Sequence, residues 1–219
     1  AYRNDLYQLE DYLRADKNFD DANDLDSTTL SNFVLTLQEK SYTRSTIARK
    51  IASIKSFLAF LVREGILLEN PSGNLSAPKI GRTLPTPISE EEINRLLDSA
   101  GTEQSPDSLR DKAMLEILYA TGMRVSEMVS LDQNDINLSE GYVKCMGKGA
   151  KERLIPIHDS ANQAITAYLD TARPNLLGNR REPALFVNQR GERLTRQGFW
   201  LILKDHAQRA GIQSPVSPH

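Results

Sequence analysis

A chain of 219 residues, 39% hydrophobic and 26% charged, has room for two modest domains with separate cores, and its formal charge of -2 excludes only a uniformly basic binder. A single cysteine, Cys145, excludes a disulfide framework and suits a reducing compartment, and three scattered histidines offer no metal-ligand cluster. No apolar run reaches membrane-spanning length and no signal peptide is recognisable, so no membrane partner and a cytoplasmic location are expected.

The charge is unevenly placed. Residues 1–40 are acid-rich, from Asp5, Glu10 and Asp11 to Asp26 and Glu39, whereas 41–64 carry Arg44, Arg49, Lys50, Lys55 and Arg63 against Glu64. Further basic groups gather at 144–153 and 180–204. A charge run is commonly a solvated helix face, but three basic stretches separated by acidic or neutral chain suit a shared polyanion.

Leu6, Leu9 and Leu13 fall on one face of a first helix, and Leu30, Phe33, Val34 and Leu37 on a second, opened by Asp26-Ser27-Thr28 as a cap. A third and longest helix spans Thr43 to Val62, with Ile47, Ile51, Ile54, Phe57, Leu58 and Leu61 at helical spacing and Gly65 as its stop. Arg49, Lys50 and Lys55 are placed largely off that stripe. From Asn70-Pro71 to Pro85-Thr86-Pro87 the chain is rich in proline, glycine and small polar residues and reads as an interdomain linker holding Lys79 and Arg82. The expected division is a helical domain at 1–71, a linker at 72–87 and a second domain at 88–219.

In the second domain Ser89-Glu-Glu-Glu92 is a capping box for a helix to about Ala100. Another helix runs from about Ser108 to Ala120 and stops at Gly122, and Arg124 starts a short one. Short strands are expected at 135–137, 142–146 and 153–156, with Gly147-Lys148-Gly149 in the hairpin between the last two. A helix at 159–171, a strand at 184–187 and a helix at 195–210 follow. The fold class is mainly α with a small antiparallel sheet. Phe57, Phe60, Phe199 and Trp200 are expected in cores, Cys145 as a small buried hydrophobe, His158 as a helix cap and His206 on a helix surface.

Metal-free cleavage and rejoining of a phosphodiester needs guanidinium forks for the charge on the non-bridging oxygens, a proton donor for the leaving oxygen and a hydroxyl nucleophile. Arg124 can supply a fork, with Glu127 one turn on to fix it, although spacing alone favours an ordinary surface salt bridge. Lys148 lies between two glycines, 24 residues after Arg124. A P-loop is excluded, because Gly149 stands where a Ser or Thr must follow the lysine.

Residues 110–127, Arg-Asp-Lys-Ala-Met-Leu-Glu-Ile-Leu-Tyr-Ala-Thr-Gly-Met-Arg-Val-Ser-Glu, resemble the first arginine box of tyrosine site-specific recombinases, the phage-integrase and Xer-type family. Gly147-Lys148-Gly149-Ala-Lys151-Glu-Arg153 is similar to that family's catalytic lysine hairpin, and Ser217-Pro218-His219 to the opening of its second box. The resemblance implies an all-α SAM-like core-binding domain joined to an α+β catalytic domain. It implies recombination of duplex DNA at a specific site through a 3′-phosphotyrosine, without metal or cofactor, by a tetramer on DNA and in some cases with a related recombinase. Arg124 and His219 then hold the phosphate, Lys148 protonates the leaving 5′-oxygen and Glu127 supports Arg124. The implied DNA contacts are Thr43, Arg44, Arg49 and Lys55 on the third helix, Lys79 and Arg82 in the linker, Lys151 and Arg153 beside the hairpin, and Thr195, Arg196 and Gln197 opening a groove-entering helix. Together they make two jaws of a clamp.

The family's second arginine, later His or Trp, and nucleophilic tyrosine fall beyond position 219, so the chain is expected to be a fragment that binds DNA without cutting it. Two alternatives stay open: a non-catalytic DNA-binding module or regulator derived from a recombinase, and an all-α scaffold whose basic faces bind proteins.

Overall fold

The computed structural model describes residues 2–15, 21–79, 81, 87–147, 152–214 and 216. The chain divides into two compact units, Ala1–Leu84 and Pro85–His219. It is mainly helical with one three-stranded antiparallel sheet. Among the described residues no helix is long and apolar enough to cross a membrane.

The first unit is a helical bundle of α1 (Tyr2–Ala15), α2 (Ser27–Glu39) and α3 (Arg44–Arg63). Asp26 caps α2 by accepting the Thr29 amide at 2.7 Å, and Thr43 caps α3 by accepting the Thr46 amide at 3.3 Å. Each fixes one of the otherwise unpaired amides of a helix start. The apolar stripes meet in a core of Leu9, Leu13, Leu30, Phe33, Leu37, Ile47, Ile51, Ile54 and Leu58. Each such side chain contributes about 1.5–3 kcal/mol by leaving water.

Lys50 departs from its expected place: it is buried, with its ammonium 2.9 Å from Asp5 Oδ1 and 2.7 Å from Gln8 Oε1. Asp5, also buried, accepts from Ser53 and from Arg49 as well. This ionic knot ties α1 to α3, because a buried carboxylate is tolerated only when paired and hydrogen-bonded. Phe60 is 43% exposed, on the outer side of α3.

The second unit is built around α5 (Pro106–Thr121), which packs against α4 (Glu90–Ser99), α6 (Val125–Ser130), α7 (Asp159–Ala167) and the sheet's last strand. The sheet runs β1 (Ile136–Asn137), β2 (Tyr142–Met146), β3 (Glu152–Pro156) in that order, with Cys145 opposite Arg153 and Met146 opposite Glu152. A π-helical turn, Tyr168–Ala172, joins α7 to α8 (Arg173–Leu177), and α9 is Arg196–Arg209. Caps again set the starts: the Ser89–Glu92 box for α4, Ser105 with Pro106 for α5, His158 for α7 and Thr195 for α9.

Three expectations need correction here. The helix from Asp159 continues to Leu177 through the π turn, since Pro174 lacks the N–H that would close the ladder to Asp170. Residues 184–187 are buried yet form only single bridges, to Asp132 and Arg193. The guanidinium of Arg173 occupies their carbonyls instead, donating to Ala184 O at 2.7 Å and Leu185 O at 3.2 Å, the acceptors a neighbouring strand would use. On α9, Phe199 is buried as expected, but Trp200 is 41% exposed under Lys204 while His206 is buried. His206 bonds Asp111 Oδ2 at 3.1 Å and Ser99 Oγ at 3.3 Å, joining α4, α5 and α9.

Candidate active site

Helix α5 ends where Gly122 adopts a left-handed φ of +59°, a conformation that L side chains resist, and donates its N–H to Leu118 O. The chain turns, buries Met123, exposes Arg124 and buries Val125. That alternation pins the backbone on both sides of Arg124 and leaves its side chain 64% exposed. The sharp break and the aimed arginine are the arrangement the spacing predicts.

Glu127, whose side chain is only 10% exposed, organises the surroundings. Its Oε2 accepts the Arg124 amide at 2.8 Å and its Oε1 accepts Arg124 Nη1 at 3.1 Å. The same Oε2 accepts Arg153 Nη2 from β3 at 2.8 Å. Burial pushes the carboxyl up, but the Arg124 amide, the Arg124 side chain and the charges of Arg153 and Arg124 outweigh it and hold it below the ordinary glutamate range.

Its stabilising contribution is therefore complete above the unfolded value of about 4.3 and fades as pH falls through the lower folded value. Glu127→Ala is expected to cost about 1–2 kcal/mol, from a lost cap and two guanidinium groups without their counter-charge. Urea unfolding checks this, and Glu127→Gln should flatten the acid limb of the stability profile; an unchanged midpoint for both would sink the role.

An open cleft of about 460 Å3 lies beside this pair, lined by Arg124, Ser126, Glu127, Ser130, Met146 and Gly147. It brings together Arg124, at the start of α6, and Met146 and Gly147 at the end of β2. The two serines are additions that spacing did not single out; Ser126 is legible only as the residue just before Glu127 in the first turn of α6. Among the described residues no tyrosine lines the cleft. Tyr168 is buried, its hydroxyl accepting the Val187 amide, and burial pushes its phenol up to about 12. Tyr119 stands edge-on to His158, and Tyr142 accepts from Asn137.

Of the other candidates, Lys148, Lys151, Arg82 and His219 lie outside the described residues. Arg44 is exposed at the first turn of α3, Lys55 is half-buried and Lys79 is exposed. Thr43 spends its hydroxyl on the cap, and Arg49 pairs with Asp5 while its side chain stays 39% exposed. Thr195 caps α9 by accepting the Gly198 amide at 3.0 Å, with Arg196 and Gln197 exposed beside it. The structure places Arg124, Glu127 and Arg153 together in one unit. Among the described residues no group of three or more His, Cys, Asp and Glu could hold a metal.

Residues 87–219 match the model of the phage integrase family, and residues 1–65 match its N-terminal SAM-like domain. The chain is 48% identical to the tyrosine recombinase XerC of Herpetosiphon aurantiacus over 219 residues, all of this chain and 71% of that protein. It is 43% identical to the tyrosine recombinase XerD of Oceanobacillus iheyensis, covering all of this chain and 73% of that one. Among solved structures, the post-cleavage complex of the XerH site-specific recombinase bound to a palindromic difH substrate aligns at a TM-score of 0.73 and 19% identity, over 97% of this chain and 62% of that one. With a family model covering more than half of its residues and Xer relatives matching it from end to end, the chain belongs to the phage integrase family of tyrosine recombinases.

Proposed function

We propose that the second unit grips the scissile phosphate of a specific DNA site at Arg124, in the cleft between α6 and the end of β2. The family's activity is site-specific DNA recombination. The observation that carries the local reading is the shared wall of that cleft: an exposed arginine and the base of the lysine hairpin border one concavity. Glu127 engages one Nη of Arg124 and leaves the rest of the fork for non-bridging oxygens. Lys148, flanked by two glycines in the sequence, gives the leaving 5′-oxygen a proton, and His219 hydrogen-bonds the same phosphate. Neither role calls for a metal or a cofactor.

Thr43, Arg44, Arg49, Lys55, Lys79 and Arg82 in the first unit, and Lys151, Thr195, Arg196 and Gln197 in the second, supply the contacts that set the protein on duplex DNA. The partners are double-stranded DNA, further copies of the chain as a tetramer on two sites, and a related recombinase where two kinds pair. The work is done in the cytoplasm.

A binding role without cleavage is the reading for the 219-residue polypeptide, supported by the cleft's lack of any described tyrosine. Selection from random duplexes at two salt concentrations is expected to return a half-palindromic site. Arg124→Ala should lower the slope of log K against log salt by about 0.9, one phosphate's worth. Binding that ignores salt, or an unaltered slope in the variant, would overturn the assignment. A covalent adduct with a nicked suicide duplex would overturn the binding-only reading.

A further inference from the structure

We infer that Arg153 is a positioning residue that ties strand β3 to the start of α6 at Arg124, and that its guanidinium serves Glu127 instead of DNA. The inference rests on the cleft reading above. β3 is an edge strand of the sheet, and of its five residues only Ile155 is even half-buried, so little apolar burial fastens it. Its Arg153 stands opposite Cys145 on β2, with Nη2 at 3.9 Å from Cys145 Sγ and 2.8 Å from Glu127 Oε2. Glu127 in turn holds both the amide and the guanidinium of Arg124.

One nearly buried carboxylate thus joins the start of α6, with Arg124 as its cap, to strand β3. The neighbouring pair Lys144–Glu152, at 2.9 Å, braces the two strands to each other but does not reach the helix. Arg153 is the side chain of β3 that crosses to α6, and a charge-assisted bond of this geometry sets direction as well as energy.

Arg153→Gln in the intact 219-residue chain, with amide hydrogen exchange and the salt dependence of duplex binding measured together, decides the matter. Exchange at Lys144–Met146 and Glu152–Leu154 is expected to rise on the order of five-fold, while α7 and α9 keep their protection. The slope of log K against log salt should stay at its wild-type value. Arg153→Lys should restore most of the protection, and Glu127→Gln combined with Arg153→Gln should add little beyond either alone, as one shared contact requires.

A slope smaller by about 0.9 in Arg153→Gln would make the residue a phosphate contact and overturn the inference. Unchanged exchange would overturn it as well. If the wild-type chain itself showed no salt-dependent binding, the cleft reading would fail, and exchange alone would still report whether Arg153 fastens β3.

Discussion

Asp5→Ala is expected to destabilise the first unit by about 3–5 kcal/mol, enough to unfold a marginal helical domain at moderate temperature. The size follows from what is left behind. Asp5 is 1% exposed, and the ammonium of Lys50, itself buried, has Asp5 as its carboxylate partner and Gln8 as a neutral one. Removing the carboxylate strands that ammonium in the core, whereas the Ser53 hydroxyl keeps its bond to the Arg49 carbonyl. Lys50 also lies over the Tyr42 ring at 5.1 Å, which softens the loss without replacing a counter-charge.

The control is a double variant, Asp5→Leu with Lys50→Met, expected to recover most of the loss, because replacing both buried charges with apolar groups is often near neutral. The pH dependence has a definite sign. Burial pushes Asp5 up, but the hydrogen bonds of Lys50 and Ser53, the Lys50 charge and the bond from Arg49 outweigh it, and the carboxyl sits below its ordinary value. Its stabilisation is complete above the unfolded value of about 3.9 and is lost as pH falls through the lower folded value. Urea denaturation across that range is the measurement. A loss under about 1 kcal/mol for Asp5→Ala would mean that water reaches Lys50 and the knot is not buried.

The knot also marks the limit of reading sequence by period. Lys50 lies three residues after Ile47 and four before Ile54, on the apolar stripe, but an ammonium there is assigned to solvent by default because lysine is seldom fully buried. Its partner is 45 residues away in sequence, and no local pattern announces it. His206 is the same case: it follows Phe199 and Leu203 at helical spacing, and its carboxylate partner is 95 residues away. Arg153 looks like one more hairpin cation until the structure shows Glu127 beside it.

Arg124 and Glu127 are legible because their geometry is local. A left-handed glycine ends α5, two buried neighbours fix the backbone, and a carboxylate three residues on returns to the arginine. Helix caps are legible for the same reason, each being a bond across three residues. The family resemblance supplied what spacing could not, a reason to join Arg124 to a lysine 24 residues later; the structure adds the cleft that Gly147 and Arg124 share.

In the second unit the largest loss is expected from Asp111→Ala, on the order of 3 kcal/mol. Asp111 Oδ1 accepts Arg110 Nε at 2.9 Å and Nη2 at 2.8 Å, a two-pronged grip on a guanidinium whose side chain is 5% exposed. Its other oxygen bonds His206 Nε2. Arg110 keeps Asp107 at 2.7 Å after the substitution, so its charge is not wholly stranded, and the cost stays nearer the lower end of the range for a broken buried pair. His206→Ala should cost less, because Asp111 retains Arg110 and only the links of α9 to α4 and α5 go. Thermal and urea unfolding of both variants test the ranking, and a His206 variant less stable than the Asp111 variant would reverse it. Arg110, Asp111 and His206 are all buried, out of reach of a phosphate, which separates stability from recognition. Below the unfolding transition both variants should keep the wild-type salt slope for duplex DNA, whereas Arg124→Ala should lose about 0.9 of it at nearly unchanged stability. If Asp111→Ala lost slope while still folded, the α4–α5–α9 junction would be setting the DNA contacts themselves, and the cleft beside Arg124 could not be treated as a self-contained phosphate site.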